Sequence, residues 1–245
     1  MFSFFKRKAS IDFDYSILGT DMHSHLLPGI DDGAPDMSVS LQLIRGLADL
    51  GFNKFYTTPH IMWDMYPNTR EDILIRIVEL RNVVKENNIN IDVHAAAEYF
   101  IDEYFRQLLD EKKPLLTIDK NMVLVEFSLA SPPLELKEVL FEMQVQGYQP
   151  VIAHPERYLY LEHSKHFYDE LKDSGCLFQL NLLSLGGFYG RAVQDFSQYL
   201  AKKEYYNLVG TDMHHLRHLQ GLQDVKLYEG LQRILDSGTI RNAGL

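Results

Sequence analysis

Short apolar runs alternate with longer amphipathic segments along this 245-residue chain. The segment at about 69–87 is typical of a helix, because it spaces one apolar stripe at helical intervals: Ile73, Ile77, Leu80 and Val84. The pattern predicts seven strands, at 17–23, 54–58, 89–98, 122–128, 150–154, 177–183 and 206–212. It predicts helices at about 36–50, 69–87, 102–110, 134–147, 164–175, 190–203 and 222–236.

This alternation predicts an α/β fold whose strands pair in parallel. Runs such as VLVEF and PVIA are almost continuously apolar, as expected of parallel strands that are buried on both faces. Two architectures fit, a barrel and an open doubly wound sheet. A doubly wound nucleotide-binding sheet carries a glycine-rich turn after its first strand, whereas this chain has DMHSH at 21–25. We therefore expect a seven-stranded (β/α)7 barrel.

Composition narrows the classes of function. A net charge of −10 argues against a nucleic-acid partner, because proteins that bind nucleic acid usually present a basic face. The single cysteine, Cys176, excludes a disulfide framework and a cysteine-rich zinc site, and it favours a cytoplasmic protein. No apolar stretch reaches the roughly 20 residues of a transmembrane segment. We expect a flexible leader at 1–18 and a single domain at 19–245.

Histidine and carboxylate side chains stand at the C-terminal ends of six of the predicted strands. His23 and His25 are two residues apart, so in a strand they point to the same side. In α/β barrels the C-terminal ends of several strands supply the active site. The candidate metal ligands are His23, His25, His60, Glu98, Glu126, His154, Asp212 and His214.

Eight candidate ligands are more than one tetrahedral ion needs. The number therefore indicates two or three divalent ions that share a bridging carboxylate. Imidazole and carboxylate donors suit manganese, iron, zinc or cobalt, and the sequence does not choose among these metals. The remaining histidines are expected to be structural or solvent-exposed: His94, His163, His166, His215 and His218. Because His215 and His218 follow the last motif, the rim of the site is the alternative position for these two.

Two arginines follow strand-end histidines. Arg157 comes three residues after His154, and Arg217 comes three residues after His214. Because a guanidinium group binds phosphate through two hydrogen bonds, both are candidate clamps for a phosphorylated substrate. A cysteine-dependent phosphatase is excluded, since that chemistry needs an arginine about six residues after the cysteine and Leu182 stands there.

These motifs resemble a known family. HSH with DDG, then TTPH, AAAEYF, VEFS, IAHPERY and TDMHH, in this order and spacing, are similar to the PHP (polymerase and histidinol phosphatase) superfamily. Within it they most resemble the CpsB/CapC/YwqE-type bacterial protein-tyrosine phosphatases. The resemblance runs from about residue 19 to the C-terminal helix. It implies a distorted seven-stranded TIM-like barrel with three divalent ions, of which manganese is the expected metal and iron, zinc or cobalt are alternatives.

The resemblance also implies a ligand set for each ion. The first ion would be bound by His23, His25, Glu98 and Asp212. The second would be bound by Glu126 and His154, with Glu98 bridging it to the first. The third would be bound by His60, His214 and an acidic residue of the DDG turn, which we assign to Asp32 with Asp31 as the alternative.

The function that the resemblance implies is hydrolysis of phosphotyrosine by a metal-activated water. Arg157 and Arg217 would clamp the phosphoryl group, and His60, His214 or a metal-bound water would give a proton to the leaving oxygen. The implied partner is a bacterial tyrosine autokinase that regulates capsule or exopolysaccharide synthesis. Three alternatives stay open: a histidinol-phosphate phosphatase, a phosphoesterase acting on nucleic acid, which the net charge disfavours, and a non-enzymatic metal-binding protein.

Overall fold

The computed structural model of the protein describes residues 13–133 and 135–245. The strands are β1 (Thr20–Ser24), β2 (Lys54–Thr57), β3 (His60–Ile61), β4 (Asp92–Ala95), β5 (Glu98–Phe100), β6 (Met122–Glu126), β7 (Gln149–Ala153), β8 (Leu177–Asn181) and β9 (Tyr206–Gly210). The helices are α1 (Met37–Asp49), α2 (Arg70–Glu86), α3 (Glu103–Asp110), α4 (Leu136–Val145), α5 (His166–Asp173), α6 (Leu182–Leu185), α7 (Arg191–Lys202), α8 (Leu216–Gly221) and α9 (Val225–Leu235). Three short 3₁₀ turns cover Pro155–Arg157, Leu159–Leu161 and Asn242–Gly244.

The two longest helices, α1 and α2, each begin at a side-chain cap. Asp36 precedes α1 and accepts a hydrogen bond from the backbone N–H of Val39. Thr69 and Asp72 form a reciprocal capping box at the start of α2. The predicted stripe of α2 is buried, which confirms its helical spacing. The short helices α6 and α8 are not predicted, because four and six residues are too few to show the helical spacing of apolar residues.

Every pairing between these strands is parallel. This confirms the predicted α/β class. The ladders form two sheets, with strand orders β1-β2-β4 and β3-β5-β6-β7-β8-β9. The predicted strand at 89–98 is divided between the sheets, and the predicted strand at 54–58 corresponds to β2 alone, with β3 following it in the other sheet. Pro59 has no N–H to donate and separates β2 from β3, and Ala96 and Ala97 separate β4 from β5.

Backbone hydrogen bonds also connect residues that belong to, or flank, strands of the two sheets. At the break between β2 and β3, Ala96 N donates to Thr57 O at 2.9 Å and Glu98 N donates to Pro59 O at 3.1 Å. In addition, Asp212 N donates to His23 O at 2.8 Å. The carboxyl ends of β1 and β9 therefore lie side by side.

The core has two parts because side chains of a strand alternate between its faces. The larger part lies between the strands and the helices. The smaller part is a separate cluster drawn chiefly from strands of both sheets, and it includes Met22, Tyr56, Leu124, Val151, Ala153 and Leu208. Met22 directly precedes His23, so the packing of the small cluster fixes the residue that begins the candidate site.

The predicted leader at 1–18 is described only from residue 13 onward, and residues 1–12 lie outside the described residues. Tyr15 and Leu18 are buried, and Tyr15 N donates to Leu50 O at 2.7 Å. Residues 13–18 therefore pack on the domain that follows them. Across 13–133 and 135–245, no helix has both the length and the apolar character needed to cross a membrane.

Candidate metal centre

The carboxyl ends of the strands surround a cavity of about 580 Å³. Eight of the predicted site residues line it: Asp32, His60, Glu98, Glu126, His154, Arg157, Asp212 and His214. His23 and His25 are fully buried beside Glu98. The fold thus brings together every predicted metal ligand, although they come from seven separate parts of the chain.

The first group of ligand atoms belongs to His23, His25, Glu98 and Asp212. His23 Nε2 lies 3.2 Å from His25 Nε2 and 3.1 Å from Glu98 Oε2. Asp212 Oδ1 lies 3.3 Å from His23 Nε2 and 3.4 Å from His25 Nε2. Corners of a regular tetrahedron with edges of this size lie about 2.0 Å from its centre, which is the length of a metal–ligand bond. The four atoms fit one divalent ion.

The second group lies around Glu126. His60 Nδ1 is 2.9 Å from Glu126 Oε1, and His154 Nε2 is 3.1 Å from Glu98 Oε1 and 3.7 Å from Glu126 Oε2. Within the described residues, four buried side-chain atoms have no partner with the geometry of a hydrogen bond, and three of them are His60 Nδ1, Glu126 Oε1 and His154 Nδ1. Since buried polar atoms normally find a partner, the facing His60 and Glu126 atoms indicate a position for a cation.

The third group lies at the opening of the cavity. Asp32 Oδ1 is 3.4 Å from His60 Nε2 and 3.4 Å from His214 Nε2, and His25 lies within the same group. Asp31, the alternative ligand, points elsewhere, because its Oδ2 accepts from His25 Nδ1 at 2.8 Å and its Oδ1 accepts from a backbone N–H. The geometry therefore favours Asp32 as the acidic residue of the third group.

Hydrogen bonds donated by Nδ1 hold three of the imidazoles with Nε2 toward the centre. His23 Nδ1 is 2.9 Å from Gln179 Oε1, and His25 Nδ1 is 2.8 Å from Asp31 Oδ2. His214 Nδ1 is 2.8 Å from the carbonyl oxygen of Asp212. Such partners fix both the orientation and the tautomer of a metal-binding histidine.

The backbone is strained at two of the candidate ligands. His154 has φ 32° and Asp212 has φ 51°, which places both in the left-handed region. This conformation costs about 1–3 kcal/mol for a residue with a side chain, and it is concentrated at functional sites. It turns the chain directly after β7 and β9, so both side chains face the cavity instead of continuing along their strands.

Two glycines allow the backbone to approach the candidate ligands closely. A Cβ atom at Gly33 would lie 2.4 Å from the Cβ of His25, and one at Gly210 would lie 2.5 Å from the Cβ of His23. A larger residue at either position would displace an imidazole. The first histidine pair is therefore set by strand packing as well as by hydrogen bonds.

Charges within the centre shift its pKa values. Burial by itself would lower the pKa of His23, but the carboxylates of Glu98 and Asp212 raise it to about 9. Burial by itself would raise the pKa of Asp212, yet His23 and His214 hold that pKa well below its usual range. Contact with His214 lowers the pKa of Asp32 to about 2. Asp212 and Asp32 are thus ionised near pH 7, and His23 holds a proton that a metal ion would displace.

The two candidate arginines lie in different surroundings. Arg157 follows β7 on a 3₁₀ turn and lines the cavity, and its guanidinium donates to Asp212 Oδ2 at 3.2 Å. Arg217 is exposed on α8 and does not line the cavity. Arg157 is therefore placed to contact a substrate that lies in the cavity beside the candidate metal ligands.

Several residues of the site are not predicted as functional from the sequence. Gln179 lies in β8, and its amide contacts His23. Asn181, which the sequence already places near the end of this strand as a weaker candidate, contacts Asp212 through its amide. Apolar and aromatic side chains form another part of the cavity wall: Met62, Met65, Tyr66, Phe100, Phe127, Leu129 and Tyr189. His215 and His218, for which the sequence leaves open a structural position or the rim of the site, also line the cavity. Amide and aromatic residues carry no ligand signature, so only their position in the fold reveals them.

Comparison with known proteins identifies relatives of this chain. The family model for "Capsular polysaccharide synthesis, CpsB/CapC" matches residues 19–223. The tyrosine-protein phosphatase YwqE of Bacillus subtilis is 28% identical over 197 residues, covering 80% of this chain and 78% of the relative. The tyrosine-protein phosphatase CpsB of Streptococcus pneumoniae is 29% identical over 203 residues, covering 80% of this chain and 83% of the relative.

A solved structure is also similar. It belongs to a study of YwqE from Bacillus subtilis and CpsB from Streptococcus pneumoniae, described as unique metal-dependent tyrosine phosphatases. The two folds agree with a TM-score of 0.79 at 25% identity, over 91% of this chain and 89% of that one. The match to the family model spans most of the chain. This chain therefore belongs to the CpsB/CapC family of capsular polysaccharide synthesis.

Proposed function

We propose that this protein is a metal-dependent phosphatase that hydrolyses phosphotyrosine in protein substrates. One observation carries the proposal: Glu98 directs Oε2 at His23 and Oε1 at His154, so that a single carboxylate connects two groups of metal ligands. Arg157 adds a cation at the same cavity. The relatives named as tyrosine-protein phosphatases support the choice of substrate.

The proposed centre holds three divalent ions, with manganese as the expected metal and iron, zinc or cobalt as alternatives. The ligands proposed for the first ion are His23, His25, Glu98 and Asp212. Those proposed for the second are Glu98, Glu126 and His154, and those for the third are Asp32, His60 and His214. The support is that the ligand atoms of each group lie within a few ångströms of one another. When bound, the ions would supply Lewis acidity and lower the pKa of a nucleophilic water.

The side chains of the cavity then have distinct tasks. Arg157 donates hydrogen bonds to the non-bridging phosphoryl oxygens and stabilises their charge as the bond from phosphorus to the tyrosine oxygen breaks. A tyrosine hydroxyl has a pKa near 10, so tyrosinate leaves with less proton assistance than an alkoxide needs. His60 and His214 lie at the cavity wall and are the candidates to protonate this oxygen.

The apolar part of the cavity wall favours an aromatic ester. Met62, Met65 and Leu129 line the cavity beside the charged groups. Apolar side chains of this kind stabilise an aromatic ring by removing it from water. An alkyl phosphate that carries a cationic amine, such as histidinol phosphate, gains less from this wall.

We also propose that the substrate is the tyrosine-rich tail of a bacterial tyrosine autokinase and that the enzyme acts in the cytoplasm. Membership of a capsular polysaccharide family supports the autokinase, and the single buried cysteine, Cys176, suits a reducing compartment. A phosphorylated tail peptide should have a higher kcat/KM than a scrambled phosphopeptide. Equal values would contradict the choice of partner.

For the fold, we propose that the two sheets close into one distorted barrel of seven strands, with β2 and β3 counted as one and β4 and β5 as another. The hydrogen bond from Asp212 N to His23 O and that from His25 N to Met213 O, at 2.9 Å, support closure between β9 and β1. The amides of His25 and Asp212 should then exchange slowly with deuterated solvent. Fast exchange at both would contradict closure.

A panel of substrates tests the proposed function. The manganese-loaded protein is given a phosphotyrosine peptide, histidinol phosphate and a single-stranded oligonucleotide, and kcat/KM is measured for each. We expect the phosphotyrosine peptide to be hydrolysed best. His23→Ala should abolish the activity, whereas His94→Ala should retain it, because His94 pairs with Asp92 away from the centre. A far higher kcat/KM for histidinol phosphate would overturn the proposal.

A further inference from the structure

Tyr189 covers the guanidinium group of Arg157. It lies in the loop between α6 and α7, and its ring centroid is 4.8 Å from the Cζ atom of Arg157. The same guanidinium donates to Asp212 Oδ2 at 3.2 Å. A cation over the face of an aromatic ring is attracted by the ring's negative electron density. Arg157 is thus held by a carboxylate and by an aromatic face.

One amide connects these two supports. Asn181 Nδ2 donates to the hydroxyl of Tyr189 at 3.2 Å and to Asp212 Oδ2 at 2.8 Å. Asn181 itself is fully buried. The position of the Tyr189 ring is therefore tied to the same carboxylate oxygen that binds Arg157.

The loop is built to hold the ring in place. Gly187 has φ +80° and Gly190 has φ +97°, so the chain makes a sharp turn on each side of Tyr189. The ring of His218 meets the ring of Tyr189 edge-on, with centroids 6.2 Å apart. Tyr189 also lines the cavity. It is consequently fixed from the loop side while one face stays available to Arg157.

We propose that Tyr189 is a positioning residue, which holds the Arg157 guanidinium in the orientation that binds the phosphoryl oxygens. This inference rests on the proposed function of Arg157 as the phosphate clamp. An arginine side chain has many rotamers, and holding it in one before the substrate arrives lowers the entropic cost of binding. Tyr189 binds no phosphoryl oxygen in this role and acts through Arg157 alone.

A set of variants separates the ring from the hydroxyl. Tyr189→Leu removes both, and Tyr189→Phe keeps the aromatic face while it removes the contact with Asn181. Tyr199→Leu is the matched control, since Tyr199 also faces a cation, that of Lys165, and lies outside the cavity lining. The affinity for inorganic phosphate is measured by calorimetry on manganese-loaded protein, together with kcat and KM for a phosphotyrosine peptide.

We expect Tyr189→Leu to weaken phosphate binding and to lower kcat/KM by roughly five- to thirtyfold, the size of one cation–π contact. Tyr189→Phe should lie much closer to wild type, and Tyr199→Leu should match wild type. Bound manganese should be unchanged in all three. Wild-type phosphate affinity in Tyr189→Leu would overturn the proposal, as would a loss of bound manganese in that variant.

The dependence on Arg157 is tested by a double-mutant cycle. In an Arg157→Ala background, Tyr189→Leu should cause no further loss of phosphate affinity. An equal loss in both backgrounds would show that Tyr189 acts independently of Arg157 and would overturn the proposal. If the wild-type protein did not hydrolyse phosphotyrosine, the proposed function would fail, but the phosphate cycle would still decide the role of Tyr189.

Discussion

His25 donates from Nδ1 to Asp31 Oδ2 at 2.8 Å, and this hydrogen bond leaves Nε2 as the nitrogen that faces the candidate metal centre. Asp31 also accepts from the backbone N–H of His60 at 3.1 Å and from that of Gly33 at 2.9 Å. One buried carboxylate therefore orients a candidate ligand and fixes the start of β3. Asp32, its neighbour in sequence, points into the cavity instead.

The two aspartates should respond differently to substitution. Asp31→Asn should lower the affinity for metal by about 10–100-fold without changing the number of ions at saturation, because Asp31 acts through His25. Asp32→Ala should reduce that number by one, since Asp32 is the proposed ligand. Calorimetry gives the affinity, and elemental analysis of the purified variants gives the number of ions.

Asp64→Asn is the control for this pair, because Asp64 is an exposed carboxylate outside the cavity lining. It should bind metal as the wild type does. If Asp31→Asn lost an ion and Asp32→Ala kept all of them, the roles assigned to the two residues would have to be exchanged.

Metal affinity should rise with pH. The carboxylates of Glu98 and Asp212 raise the pKa of His23 to about 9, so His23 is protonated at neutral pH in the metal-free protein. An ion must displace that proton, and each displaced proton makes the affinity rise by up to about tenfold per pH unit below this pKa. Above about pH 9 the contribution of His23 should level off.

The released protons can be counted by calorimetry in buffers of different ionisation enthalpy. We expect at least one proton to be released for each first-site ion at pH 7. An affinity that stays constant between pH 6 and pH 8, with no proton release, is incompatible with this electrostatic account.

Gly210→Ala should damage the first histidine of the centre. The added Cβ would lie 2.5 Å from the Cβ of His23 and 2.9 Å from Gln179 Nε2. Relief of such overlap in a packed interior costs about 1–3 kcal/mol of unfolding free energy and moves the imidazole. Urea unfolding and metal content measure the two effects. Gly244→Ala, where nothing lies within 4 Å of the added atom, should change neither. Wild-type stability and metal content in Gly210→Ala would show that the approach at His23 is not tight.

Cys176→Ala should retain nearly full activity. Cys176 is buried, and burial raises the pKa of its thiol, which disfavours a nucleophilic thiolate. The expected cost is limited to stability, on the order of 1 kcal/mol for the lost packing. A folded Cys176→Ala protein with kcat/KM reduced by about a hundredfold or more would point to thiolate chemistry instead.

The sequence predicts much of this fold because its strongest signals are local. The stripe of α2 and the cap at Asp36 follow from helical periodicity and side-chain hydrogen bonding alone. The candidate metal ligands are predictable for a related reason, since parallel strands place their C-terminal residues at one edge. Histidines and carboxylates that end several strands must then meet.

What the sequence does not predict depends on contacts between distant segments. The division of 89–98 between two sheets, and the placement of β2 and β3 in different sheets, follow from pairing partners that no local pattern contains. Gln179 is 156 residues from His23, and a glutamine inside an apolar strand has no ligand signature. No sequence feature distinguishes Tyr189 from other aromatic residues in loops, and only the fold shows that it lies against Arg157.

The central claim is that phosphotyrosine hydrolysis requires divalent ions held by the strand-end ligands. The most direct test is to strip the protein with a chelator, measure hydrolysis of a phosphotyrosine peptide, and add manganese back to wild type, Glu98→Gln and His94→Ala. We predict no activity after chelation, full recovery in wild type and His94→Ala, and a loss of at least about a hundredfold in Glu98→Gln, which removes the charge of the bridging carboxylate. Undiminished hydrolysis by the chelated protein, or full activity in Glu98→Gln, would contradict the claim.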